Sequence, residues 1–185
     1  MGKSENLLIL GLGNLLCGDD GLGVAAVVEI HRRYRLPDGV RALDGGTLGL
    51  TLLAHFEDAE DVILVDAIQA DAPAGSLVRL EGDEVAPAVR NRLSVHQIGV
   101  ADLLDGLRLL DAFPKRLTLL GLVPEKMELE IALSESVGSN LQLLVAEVVK
   151  EAARLGYDLH PRDTHEKAVS GTSDIAAGAG LVGLR

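Results

Sequence analysis

Leu7, Leu8, Ile9 and Leu10 form a short apolar run with no polar face. A strand that is apolar on both sides must be covered on both sides, so this run predicts a central strand of a sheet held between helices. The residues that follow, GLGNLLCGDDGLGV, carry glycine at 11, 13, 18, 21 and 23. That density reads as a tight loop leading into a helix, with backbone approaches or φ values that a side chain would not permit. Asp19 and Asp20 stand where the helix begins.

Two phosphate loops share part of this pattern. Gly13 to Gly18 has the glycine spacing of a P-loop, but Asp19-Asp20 stand where Lys-Ser/Thr should hold the phosphate and its magnesium. Gly11-x-Gly13 opens a dinucleotide fingerprint, but Leu16 occupies the third glycine position. A nucleotide-binding enzyme is therefore the weaker reading. In the plainest reading Asp19 or Asp20 is an N-cap; one cap needs one acid, so the second is left over.

Further along, apolar runs alternate with helical periodicity. Helices are expected over 22–34, 48–56, 84–91, 94–110 and 136–155, and strands over 40–43, 61–67, 77–80 and 116–122. Ser94 and Gln97 have the spacing of a capping box at the start of the fourth helix. Residues 125–133 read as a short strand or an extended loop. Such alternation predicts a single three-layer α/β/α domain around a mostly parallel, twisted five-stranded sheet. The expected strand order is 2-1-3-5-4, the fourth strand being an antiparallel edge. Residues 1–160 are expected to form this one catalytic domain, and 161–185, small and glycine-rich, a mobile C-terminal tail.

Composition narrows the partners. A formal net charge of −11, 2% aromatic residues and no tryptophan argue against a nucleic-acid surface. The single cysteine, Cys17, excludes an internal disulfide and a cysteine-rich zinc site. No apolar stretch reaches the about 18 residues that span a membrane, and the N-terminal residues lack the pattern of a signal peptide. A cytoplasmic protein is expected.

In open α/β sheets the site lies beyond the carboxyl ends of the strands. That rule gathers Asp20 after the first strand, Asp44 at the end of the second, Asp66 at the end of the third and His96 on the first turn of the helix after Ser94. Two carboxylates and an imidazole suit a divalent ion such as zinc, nickel, cobalt or iron. The helix N-terminus favours the neutral imidazole that a ligand requires. Singly, each residue has a plainer reading: aspartate at a strand end as a turn former, histidine near a cap as a solvated group. Cys17 reads as a thiol nucleophile or a loop filler, and no G-x-S-x-G elbow is present.

Four separated motifs then carry a resemblance. Gly11-x-Gly13-Asn14-x-Leu16-x-x-Asp19-Asp20-x-x-Gly23, Asp44-Gly45-Gly46-Thr47, Ile63-Leu64-Val65-Asp66-Ala67 and Ser94-x-His96-Gln97 occur in this order. Phe113-Pro114-Lys115, Leu119-x-Gly121 and Val123-Pro124-Glu125 continue it. Together they resemble the nickel–iron hydrogenase maturation endopeptidases over roughly residues 7–155. The resemblance implies removal of a short C-terminal peptide from the hydrogenase large-subunit precursor after nickel insertion. It implies Asp20, Asp66 and His96 as metal ligands and catalytic residues, the first being Glu in some members. Asp44 is also a family feature, assigned to catalysis rather than to the metal. Nickel would arrive with the precursor, and zinc or cadmium in purified protein would be adventitious. The same three ligands would also serve a non-catalytic nickel-binding or delivery protein.

Overall fold

The computed structural model describes residues 6–90 and 95–162. In chain order the strands are β1 (Leu7–Leu12), β2 (Tyr34–Arg35), β3 (Val40–Gly46), β4 (Asp61–Ala67), β5 (Leu77–Glu81), β6 (Arg116–Leu122) and β7 (His160–Pro161). The helices are α1 (Leu22–Arg33), α2 (Val85–Arg90), α3 (Val95–Leu109), α4 (Glu135–Gly138) and α5 (Leu141–Leu155). Five strands form one sheet in the order β3-β1-β4-β6-β5. β1, β3, β4 and β6 run parallel, and β5 is the antiparallel edge. This is the expected order and the expected odd strand.

The apolar runs explain why these strands lie inside. Every residue of β1 and β4 is buried, and successive side chains go to opposite faces. Leu7 and Ile9 with Ile63, Val65 and Ala67 pack under α1 and α5. Leu8, Leu10 and Leu12 with Val62 and Leu64 pack under α2 and α3. β5 alternates exposed and half-buried residues and carries Arg79 and Glu81, as suits an edge that must not recruit another strand. At the amino end of the sheet Arg116 pairs with buried Asp61, which also accepts from the Tyr157 hydroxyl at 3.0 Å.

The structure departs from expectation in three places. Residues Gly49–His55 form a 3₁₀ helix rather than an α-helix. The segment is short, and Gly49 at φ 52° is pressed against Gly99 of α3. The helix expected over 136–155 is divided into α4 and α5. At the break the Asn140 amide donates to the Ser136 carbonyl at 2.9 Å, competing for a helical acceptor. Residues 125–133 take the loop alternative of the two expected, with one β-bridge joining Glu130 to Cys17. Finally, β7 pairs antiparallel with β2, and the Arg162 N–H donates to the Arg33 carbonyl at 2.7 Å. The paired chain thus runs two residues past 160; the tail expected beyond it falls, from 163, outside the described residues, as does the Ser94 cap. Among the described residues no helix is long and apolar enough to cross a membrane.

Candidate active site

Glycines set the geometry of the first loop. A Cβ on Gly11 would lie 2.2 Å from the Gly23 carbonyl oxygen, and one on Gly23 would lie 2.1 Å from that of Val65. The first turn of α1 therefore rests directly on the backbone of β1 and β4. Gly13, at φ 120°, leaves 1.7 Å between its would-be Cβ and the Asp20 carbonyl oxygen. These contacts bring the 3₁₀ turn Gly18–Gly21, which carries Asp20, over the carboxyl ends of β1 and β4.

Asp20, on that turn, and Asp66, one residue from the carboxyl end of β4, are both buried. Asp20 is 2% exposed and its Oδ2 accepts from the Asn14 N–H at 2.9 Å. Asp66 is 1% exposed, and its Oδ1 accepts from the Ala67 N–H at 2.8 Å. Val65 pairs with Gly11 and faces α1, so alternation turns Asp66 to the face covered by α3. His96 belongs to the first turn of that same helix. Its side chain lies outside the described residues.

Asp44 is placed differently. It pairs with Gly11 on the other side of β1. Two strand spacings, about 10 Å, therefore separate its backbone from the level of Val65. Alternation from Val40 and Ala42 puts it on the α1 face, opposite Asp66. It is exposed and its Oδ1 accepts from the Gly46 N–H at 2.9 Å, an Asx turn. Asp44 thus stands at the solvent margin of the edge, not among the buried carboxylates.

Asp19 has a role that local reading missed. Neither acid caps α1: the N-cap is Gly21, with no side-chain bond. Asp19 is fully buried and reaches across the loop after β6. Its Oδ2 accepts from the N–H groups of Glu125 at 2.8 Å and Lys126 at 3.1 Å and from the Ser134 hydroxyl at 2.9 Å. Its Oδ1 accepts from the Ser134 N–H at 2.7 Å. Burial opposes its charge, but the N–H groups of Lys126, Ser134 and Glu125 and the Ser134 hydroxyl outweigh it and hold the carboxyl below its ordinary range. The surplus of one acid over the need of one cap was the only trace of this in the sequence.

Comparison with known proteins decides the family. A family model described as hydrogenase maturation protease (HycI) matches residues 24–151. The chain is 38% identical over 159 residues to the hydrogenase 2 maturation protease of Escherichia coli (strain K12), covering 85% of this chain and 96% of that protein. The chain belongs to the hydrogenase maturation protease family. The protease is also 38% identical over 164 residues to the hydrogenase expression/formation protein HupM of Azotobacter chroococcum mcd 1, covering 88% and 78% of the two chains. Its fold matches the hydrogenase maturating endopeptidase HybD from E. coli with a TM-score of 0.81 at 37% identity, over 85% of this chain and 98% of that one. A nickel–iron hydrogenase maturation protease, HybD, from Thermococcus kodakarensis matches with a TM-score of 0.68 at 30% identity, over 80% and 99%. The protease is thus a peptidase, as the motifs implied. Asp44, Asp66 and His96 lie within the stretch matched by the family model, and Asp20 just before it.

Proposed function

We propose that the protease removes the C-terminal extension of a nickel–iron hydrogenase large-subunit precursor, and that Asp20, Asp66 and His96 recognise nickel already held by that precursor. The supporting observation is a pair of nearly fully buried carboxylates, Asp20 and Asp66, brought to one edge of the sheet from separate segments. Buried carboxylates need a cation or several donors nearby, and an oxygen-rich set with one imidazole suits a borderline divalent ion. Among the described residues no group of three or more His, Cys, Asp or Glu is placed to hold a metal ion; the His96 side chain lies outside them. Zinc or cadmium in purified protein would engage the same residues.

A divalent ion at this edge supplies Lewis-acid polarisation of a carbonyl or a water. The chain supplies the rest. Asp20 and Asp66, both buried, would offset the cation's charge, and His96, on the first turn of α3, would supply the imidazole. Asp44 lies on the opposite face, its backbone about 10 Å from the level of Val65, so it would act, as water-orienting group or base, on peptide crossing the open margin of the edge and not on the ion. Because the ion belongs to the substrate, the enzyme would stay idle on a precursor not yet loaded.

The test is the mass of the precursor after mixing with the protease, nickel-loaded against nickel-free. Cleavage of the loaded form alone is expected, and it should be lost in His96→Ala with the circular dichroism spectrum unchanged. An intact loaded precursor would leave nickel binding or delivery as the function, and cleavage of both forms would remove nickel from recognition.

A further inference from the structure

We infer that Leu15, Leu16, Leu129 and Ile131 form a docking rim for the C-terminal segment of the precursor, an extended peptide with apolar side chains flanked by basic residues. The inference rests on the function proposed above and names the surface that presents the substrate to it. These four side chains are 47%, 55%, 87% and 80% exposed. Single exposed leucines are ordinary, but large apolar side chains grouped on joined loops mark a contact surface.

The loops are joined by backbone bonds. The Glu130 N–H donates to the Leu16 carbonyl at 3.0 Å and the Gly18 N–H to the Glu130 carbonyl at 2.6 Å. Leu16 therefore stands beside Glu130, with Leu129 and Ile131 on either side of it. The loop is fixed in place, since Asp19 grips it near both ends, at Glu125, Lys126 and Ser134. Its apolar side chains are thus held out to solvent on an ordered frame, and the rim needs little ordering to bind. Asp19 precedes Asp20 in the chain, so the rim adjoins the candidate metal edge.

Charge identifies the occupant. Glu125, Glu128 and Glu130 are exposed around the apolar residues. Lys126 is engaged with Glu130 at 2.6 Å. On a chain of net charge −11, an acidic border repels a second copy, a nucleic acid and an anionic membrane, and favours lysine or arginine beside the apolar side chains.

The experiment measures affinity separately from cleavage. Binding of nickel-loaded precursor is followed by surface plasmon resonance for the wild type, for Leu129→Ser with Ile131→Ser, for Leu129→Ser alone, and for Leu109→Ser at the far end of α3 as control. The double variant should weaken Kd by about tenfold or more, the single variant less, and the control not at all, with unfolding midpoints unchanged. Added salt should weaken wild-type binding. An unchanged Kd in both rim variants overturns the inference, whether or not the wild type cleaves. So does sedimentation showing that the variants only dissolve a dimer. Cleavage without a rim effect leaves the proposed function standing and removes the rim; a rim effect without cleavage does the reverse.

Discussion

Replacing Asp19 with asparagine tests whether the acid beside the candidate ligand holds two loops together. The carboxylate accepts four hydrogen bonds, three on Oδ2 and one on Oδ1. An amide has one acceptor oxygen. Its better orientation keeps the three bonds at the Oδ2 position and turns its NH2 against the Ser134 N–H. Three charge-assisted bonds become neutral, each losing about 1 kcal/mol, and one buried donor loses its acceptor at about 1–3 kcal/mol. With partial relaxation of the loop, Asp19→Asn should lower stability by about 3 kcal/mol, a large share of the about 5–15 kcal/mol typical of a domain. Because the folded carboxyl lies below its ordinary 3.8, its contribution is complete above that value and is lost as pH falls through the folded value. The wild type and the variant should therefore differ constantly near neutrality and converge in strong acid. Urea unfolding at pH 7 and pH 3 reads the difference, and hydrogen exchange over 125–134 locates it. A variant within about 0.5 kcal/mol of wild type at pH 7 would refute the clasp.

Other expectations follow from the same coordinates. Asp44→Asn keeps an acceptor for the Gly46 N–H but removes a base; kcat should fall by about 10²-fold or more with KM unchanged, and full activity in a cleavage assay would reduce Asp44 to a turn former. Gly13→Ala places a Cβ 1.7 Å from the Asp20 carbonyl oxygen at a φ of 120°, so the thermal midpoint should drop steeply or soluble protein should be lost, and a wild-type melt would contradict the contact. Glu151 is nearly buried; burial opposes its charge, but Arg154, Arg79 and Thr118 overcome this and hold its carboxyl at about 2 instead of 4.5. Glu151→Gln should cost about 2 kcal/mol near pH 7, discounted for the exposed arginines, and the cost should fade as pH drops from 4.5 towards 2 in acid titrations of stability.

What the sequence made legible was whatever is written locally. The all-apolar runs at 7–10 and 61–67 specify strands covered on both faces, and the alternating, charged run at 77–81 specifies an edge. With short connections, these leave few ways to order the sheet. Asp20 and Asp66 were legible as positions, one in the loop that follows such a strand and the other near the end of one. Asp19 was not, because its partners lie 106 to 115 residues away and three of its four contacts are with backbone N–H groups, which have no residue signature. Asp44 was legible as a position but not as a place: the motif names the residue, while the pleat decides that it faces away from Asp66. The break at Ser139 and Asn140 escaped notice because apolar periodicity reports the buried face of a helix and is blind to a polar side chain capturing a carbonyl.

Should Asp20 engage an ion as proposed above, the contacts at Gly11 and Gly23 bear on how that ion would be chosen. With no side chain between the start of α1 and the strands beneath it, that junction has nothing compressible to yield. The turn bearing Asp20 cannot tighten around a small cation or widen around a large one without disturbing main-chain atoms already in contact. Discrimination at such a rigid rest would come from the coordination geometry the incoming ion already possesses, so that a mismatched metal is refused by fit and not by closure.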